Sequence, residues 1–160
     1  MNEVKYKKIF FFSFIKIFQY ATILTKCGKD MFDKYGLSHW HNSFIKNLLI
    51  VAISLLKNEL IIGYNEGRFC CAFQIRRKKD SLFFSKLCTL PSYSSKGFGS
   101  QCLDYIEKSA IQAKKNLLTC EVYDKSLKAI RFYEKRGFKI TGAKKTLKYS
   151  ELIMTKEINL

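Results

Sequence analysis

Leu87-Cys88-Thr89-Leu90-Pro91-Ser92-Tyr93-Ser94-Ser95-Lys96-Gly97-Phe98-Gly99 is the stretch on which the reading of this chain turns. An apolar run ends at Leu90, a polar loop with one basic side chain follows, and two spaced glycines open the next segment. That segment has a helical period. Phe98, Cys102, Leu103, Ile106, Ala110 and Ala113 recur at three- and four-residue spacing, while Gln101, Asp104, Glu107, Lys108 and Lys114 take the other face. Glycine lets the backbone approach a ligand closely, and the free N–H groups of a helix start attract anions. A phosphate-bearing ligand is the first expectation.

Leu117 to Tyr123 is short and apolar and reads as a buried strand. Strand, loop, helix and strand together predict a right-handed βαβ crossover with the loop at the carboxyl end of its first strand. Two other phosphate loops fit poorly. A P-loop needs Lys-Ser or Lys-Thr after its last glycine, and Gly99 is followed by Ser100-Gln101. The dinucleotide fingerprint needs a first glycine at the strand end and a third glycine where Cys102 stands, and here Pro91 to Lys96 intervene before Gly97. Glu121 does lie near the distance expected of a ribose-binding acid, so that reading is weakened and stays open.

A second patch lies downstream: Glu121-Val122, then Ala129-Ile130-Arg131-Phe132-Tyr133-Glu134-Lys135-Arg136-Gly137-Phe138. With Ser94-Ser95-Lys96-Gly97-Phe98-Gly99 and the preceding Pro91, these residues resemble the GNAT superfamily of N-acetyltransferases. The acetyl-CoA loop of that family reads Arg/Gln-x-x-Gly-x-Gly/Ala, and its second signature is Ala-Ile-x-Phe-Tyr-Glu-Lys-x-Gly-Phe. The resemblance is firm from about Ser81 to Phe138. Two positions depart from the pattern. Ser94 replaces the usual Arg or Gln, so a diphosphate contact falls to Lys96, Ser95 or backbone, and Ser126 stands where the family has a cofactor-contacting Asn.

The resemblance implies an α/β fold: a mixed, mostly antiparallel sheet splayed at one parallel strand pair and flanked by helices. It implies acetyl-CoA as co-substrate and transfer of its acetyl group to a primary amine in a direct ternary complex. Ser94, Ser95, Lys96, Gly97, Phe98, Gly99, Ser100 and Ser126 would hold the cofactor, and backbone N–H groups near Cys88, Thr89 and Leu90 would stabilise the oxyanion. Tyr133 would protonate the departing thiolate; the alternative is a core aromatic stacked with Leu127, Ile130 and Phe132. Glu121, twelve residues earlier, would be the general base, or else a solvated or salt-bridged strand carboxylate.

Composition bounds the rest. The chain of 160 residues is read as a single domain over 1–160. A charge of +16 ordinarily points to nucleic acid, but the lysines are spread along the chain beside abundant Ile, Phe, Asn and Tyr, the pattern an AT-rich genome yields. Nucleic acid is therefore not expected, and a basic nucleic-acid- or protein-binding module without catalysis is the rival reading. Lys135, Arg136, Lys139, Lys144, Lys145 and Lys148 form a local cluster, read as a solvated face that would also suit the 3′-phosphate of CoA or an acidic acceptor.

Six cysteines (Cys27, Cys70, Cys71, Cys88, Cys102, Cys120) show no CxxC pair and sit mostly in apolar runs. They read as buried free thiols of a cytoplasmic protein. His39-Trp40-His41 lacks a second ligand pair, so no metal is expected, and this segment reads as packing on the sheet or lining the acceptor side. Lys5 to Lys8 followed by Ile9-Phe10-Phe11-Phe12-Ser13-Phe14-Ile15 imitates a signal peptide, but Lys16 interrupts the run. Leu48 to Leu56 is too short to span a bilayer, and no membrane partner is expected. An opening strand, helices near Phe14–Tyr35 and Ser43–Leu56, and a hairpin turning at Asn65-Glu66-Gly67 complete the expected elements; a homodimer is left open.

Overall fold

A computed structural model describes residues 3–146 and 149–159. In chain order the elements are β1 (Lys5–Lys8), α1 (Phe14–Tyr35), α2 (Phe44–Ser54), β2 (Glu59–Asn65), β3 (Arg68–Arg77), β4 (Leu82–Thr89), α3 (Phe98–Gln112), β5 (Leu117–Tyr123), α4 (Leu127–Lys135), β6 (Lys139–Lys145) and β7 (Ser150–Glu157). A 3-10 turn at Pro91–Tyr93 precedes α3. The strands run in the order β1-β2-β3-β4-β5-β7-β6. This is the expected mixed, mostly antiparallel sheet, with β4 and β5 as its parallel pair among the described residues.

By contacts the chain divides into two units, Met1–Arg76 with Lys86–Tyr105, and Arg77–Ser85 with Ile106–Leu160. In the first unit, β1 pairs antiparallel with β2 and β2 with β3. Both residues of the β2–β3 turn, Glu66 and Gly67, have positive φ (49° and 77°), the geometry that matches the twist of a two-residue hairpin. Strand alternation then assigns the faces. Leu60, Ile62 and Ala72 bury against Tyr20, Ile23 and Leu24 of α1 and Val51 of α2. Phe73, one residue on from Ala72, packs with Tyr6 and with Tyr105 of α3 at ring separations of 5.7 and 5.6 Å. Ser43 caps α2, its hydroxyl accepting from the Lys46 N–H at 3.3 Å.

In the second unit, β5 carries the alternation the sequence shows, with Leu118, Cys120 and Val122 buried. It pairs antiparallel with β7 from Leu117↔Glu157 to Tyr123↔Glu151, and β7 pairs antiparallel with β6. On its other side β5 pairs with β4 over Leu82↔Leu118, Phe83↔Thr119 and Phe84↔Cys120, where the pairing ends although β5 continues to Tyr123. β6 is almost wholly exposed and rich in lysine, which suits an edge strand.

The Tyr133-to-Phe138 segment is a Schellman motif. The N–H of Phe138 donates to the Tyr133 carbonyl at 3.0 Å and that of Gly137 to the Glu134 carbonyl at 2.9 Å. Gly137 sits at φ 85°, and the Phe138 ring closes back on Tyr133 at 5.5 Å, the apolar contact that accompanies this cap. Replacing Gly137 by Ala forces a side chain into the left-handed region. Urea unfolding should show a loss of about 1 kcal/mol, on the scale of that backbone penalty; an unchanged midpoint would contradict the cap.

Candidate functional site

The glycine loop is built from the end of β4 outward. The Leu90 N–H donates to the Cys70 carbonyl at 2.8 Å, anchoring the strand end on β3. Tyr93 N–H then returns to the Leu90 carbonyl at 2.8 Å and Ser94 N–H to the Pro91 carbonyl at 3.1 Å. Phe98 is buried, and Tyr93 meets it edge to face at 5.4 Å, so an aromatic pair pins both ends of the loop. Between them Ser94, Ser95 and Lys96 are exposed, whereas Gly97, Gly99 and Ser100 are half-buried. Ser95 and Gly97 both have positive φ (59° and 78°), the alternation that turns successive backbone N–H groups into an anion-binding concavity. The Gly97 carbonyl accepts from Gln101 N–H at 3.2 Å, which makes Gly97 the residue that starts α3. Lys96 Nζ hangs 5.9 Å from the Tyr93 ring centre.

Of the expected oxyanion donors, the Leu90 N–H is thus engaged by the Cys70 carbonyl, while Cys88 and Thr89 lie within β4. The Thr89 carbonyl accepts from the Cys27 thiol at 3.2 Å, tying this part of β4 to α1. Sequence reasoning missed Lys86. It has φ 52° inside a strand and lines a small cleft with Leu24, Trp40, Asn42, Asn47 and Ile50. Burial lowers its ammonium pKa from the ordinary value, and among the described residues no ion pair or hydrogen bond holds it. No sequence signal marks it, because a lysine within a strand reads as a solvent-facing position. Trp40 lines this cleft, while His41 stacks on Phe32 at 4.4 Å. Among the described residues no three His, Cys, Asp or Glu side chains gather as a metal-holding group.

In the second unit, Tyr133 is buried on α4 with its ring 5.7 Å from Phe84 and 5.3 Å from Phe132. Leu127, expected to stack beside it, is 61% exposed on the first helical turn and takes no part in that packing. Phe84 is the register partner of Cys120, so Tyr133 packs on the face of β5 that Cys120 occupies. Glu121 projects from the opposite face, half-buried, with both carboxylate oxygens accepting from Lys144 Nζ at 3.4 Å. The salt-bridged alternative for Glu121 is therefore present in the structure, and a base role would need Lys144 to release one oxygen. Ser126 is the residue before α4. Its N–H donates to the Tyr123 carbonyl at 2.9 Å, while its hydroxyl is buried, caps nothing and has no partner among the described residues. A buried hydroxyl left unpaired is costly, and one placed at a helix start fits a site completed by a polar ligand group.

Part of the basic cluster is neutralised: Lys144 by Glu121, and Arg136 by Glu107 at 3.6 Å. Lys135, Lys139 and Lys145 are exposed, and Lys148 lies outside the described residues.

All six cysteines are free and buried, as expected. Burial, reinforced by the Glu121 charge, pushes the Cys120 thiol up to about 12. A contact with Cys27 and burial raise Cys88 well above the ordinary range. Cys70 moves down through its hydrogen bond with Cys71 but is fully enclosed. None is displayed as a nucleophile. A disulfide-exchange reagent at pH 8 should find essentially no reactive thiol in the native protein and all six after unfolding in urea. One fast-reacting thiol in the native state would show that a cysteine is available for covalent catalysis.

Residues 56–140 match the family described as acetyltransferase (GNAT) domain. No curated protein sequence matches the chain. Similar solved structures include a GNAT family acetyltransferase from Elizabethkingia anophelis with acetyl-CoA bound (TM-score 0.73, 14% identity, 99% of this chain and 100% of that one). The ribosomal-protein-S18-alanine N-acetyltransferase from Escherichia coli is also similar (TM-score 0.72, 14% identity, 98% and 95%). So is the PaiA N-acetyltransferase from Thermoplasma acidophilum in complex with coenzyme A (TM-score 0.73, 16% identity, 97% and 99%). At these identities the likeness is one of fold.

Proposed function

We propose that this chain, which belongs to the GNAT acetyltransferase family, moves an acetyl group from acetyl-CoA to a primary amine in a direct ternary complex. The observation that carries the reading is the loop of positive φ at Ser95 and Gly97 opening α3, in a chain that also buries an unpaired hydroxyl at Ser126. Similar structures that hold acetyl-CoA or CoA support it. Their coverage of nearly the whole of both chains supports one acetyltransferase domain over residues 1–160.

Acetyl-CoA supplies an acetyl group activated as a thioester. Backbone N–H groups from Gly97 to Ser100, at the start of α3, would bind its diphosphate, with Lys96 adding a cation from the exposed side. Ser94 and Ser95, short and exposed, contribute hydroxyls in place of the longer side chain the family uses, and Ser126 offers its free hydroxyl to the pantetheine arm. The exposed Lys139 and Lys145 suit the 3′-phosphate. Cys88 and Thr89 N–H groups would take the negative charge that develops on the carbonyl oxygen.

Tyr133 would give its phenolic proton to the departing thiolate; packing against Phe84 and Phe138 limits its ring to few orientations. Glu121 would accept a proton from the ammonium acceptor, directly or through water, when Lys144 yields an oxygen. Burial of all six thiols favours direct transfer over an acetyl-cysteine route, and free thiols suit a cytoplasmic setting.

Two variants test these assignments. Gly97→Glu puts a carboxylate at the diphosphate position and strains a φ of 78°; calorimetry should show no acetyl-CoA binding by the folded variant, and wild-type affinity would sink the loop assignment. Tyr133→Phe keeps the packed ring, so the melting temperature should hardly change while turnover falls by roughly ten- to ten-thousandfold, the scale of a lost general acid. Unchanged turnover would leave Tyr133 as a packing residue.

A further inference from the structure

The stretch that imitates a signal peptide folds differently: Lys5–Lys8 form β1, Ile9 is buried, and the next residues turn outward. Phe10, Phe11 and Phe12 are 60, 51 and 89% exposed, and Phe14, Ile15 and Phe18 on the first turns of α1 are 66, 76 and 51% exposed. The Phe18 ring lies 5.9 Å from Phe44, which carries the surface onto α2. There Ile45, Leu49, Ile53 and Leu56, at helical spacing on and just past the helix, are also exposed, while Asn47 and Val51 face the core. Ten large apolar side chains on one pair of helices and the loop before them exceed what a surface carries incidentally.

The charge around them is of one sign. No Asp or Glu occurs between Glu3 and Asp30, or between Asp33 and Glu59, while Lys5, Lys7, Lys8, Lys16, Lys46 and Lys57 fall in or beside these stretches. Glu59 is bound to Lys8 at 2.8 Å. A second copy of the chain would bring this cationic rim against itself across a symmetric interface. A nucleic acid would satisfy the lysines and leave the phenylalanines in water. An anionic bilayer satisfies both, taking phenylalanine, isoleucine and leucine at the acyl boundary and lysine at the headgroups. No helix among the described residues is long and apolar enough to cross a membrane, so the contact is with a surface. The short apolar runs that argue against spanning say nothing against lying flat.

We propose that the loop Phe10–Phe12, the start of α1 and the outer face of α2 form a docking surface for an anionic lipid bilayer. The inference is independent of acetyl transfer. It is tested by sedimenting the full chain with vesicles of phosphatidylcholine and phosphatidylglycerol and, separately, of phosphatidylcholine alone. The chain should pellet with the anionic vesicles only, and binding should fall as sodium chloride is raised. The double variant Phe12→Ser and Ile15→Ser, altered only at exposed positions, should keep its circular dichroism and bind about tenfold more weakly. The double variant Lys5→Gln and Lys46→Gln should bind more weakly and with a shallower salt dependence. The proposal is overturned if the wild type stays in the supernatant, or if Phe12→Ser with Ile15→Ser binds as wild type does. It is equally overturned if light scattering shows a dimer that this variant dissociates, since the occupant would then be a second copy.

Discussion

Parallel pairing of Leu82–Phe84 with Leu118–Cys120 sets the conditions for the rest. Two strands running the same way cannot be joined by a tight turn, so the chain must leave the carboxyl end of β4, cross over and re-enter. α3 makes that crossing, and the geometry places its first turn, with its free N–H groups, just beyond the end of β4. Loop composition follows: Phe98 and Tyr93 hold the ends, and Gly97 allows the left-handed turn that starts the helix. The pairing stops at Phe84↔Cys120, so β5 runs on to Tyr123 without β4 as its partner. Glu121 and Ser126 lie on or just after that stretch.

The second signature has a structural account that does not depend on chemistry. In Tyr133-Glu134-Lys135-Arg136-Gly137-Phe138 the glycine supplies the left-handed residue, and Phe138 supplies both the N–H that reaches the Tyr133 carbonyl and the ring that covers it. A motif of this kind holds a tyrosine at the last turn of a short helix with its backbone clamped and its ring enclosed. The placement of Tyr133 is a property of the helix end.

The excess of positive charge resolves into different local situations. Near Glu121 and Glu107 the cations are paired. Lys86 stands in a cleft among amides, an indole and aliphatic side chains, where desolvation weakens its charged form. Around the exposed phenylalanines the lysines have almost no acidic neighbours in the sequence. One net charge therefore covers several kinds of physical environment, and it is the exposed lysines, on the glycine loop, on β6 and around the phenylalanines, that bear on a partner of opposite sign.

Much of the fold was legible in the sequence because it depends on periodicity and on local backbone chemistry. The apolar spacing of Phe98, Cys102, Leu103, Ile106 and Ala110 marks α3 and its buried face, and Asn65-Glu66-Gly67 marks the hairpin. Leu117–Tyr123 and the helix after Ser126 appear where their patterns place them. β6 was not legible: Lys139–Lys145 has no buried face to impose alternation, and it is a strand because β7 offers it a ladder of hydrogen-bonding partners. The site divides in the same way. A Gly-x-Gly after a strand, and a tyrosine four residues before Gly137, are facts of composition and spacing. That Leu90 gives its N–H to Cys70, that Glu121 is held by Lys144, that the Ser126 hydroxyl is left unpaired and that Lys86 lines a cleft are decided by tertiary structure. Each depends on a group distant in sequence arriving, or failing to arrive, within hydrogen-bonding reach, and no local pattern encodes such a distance.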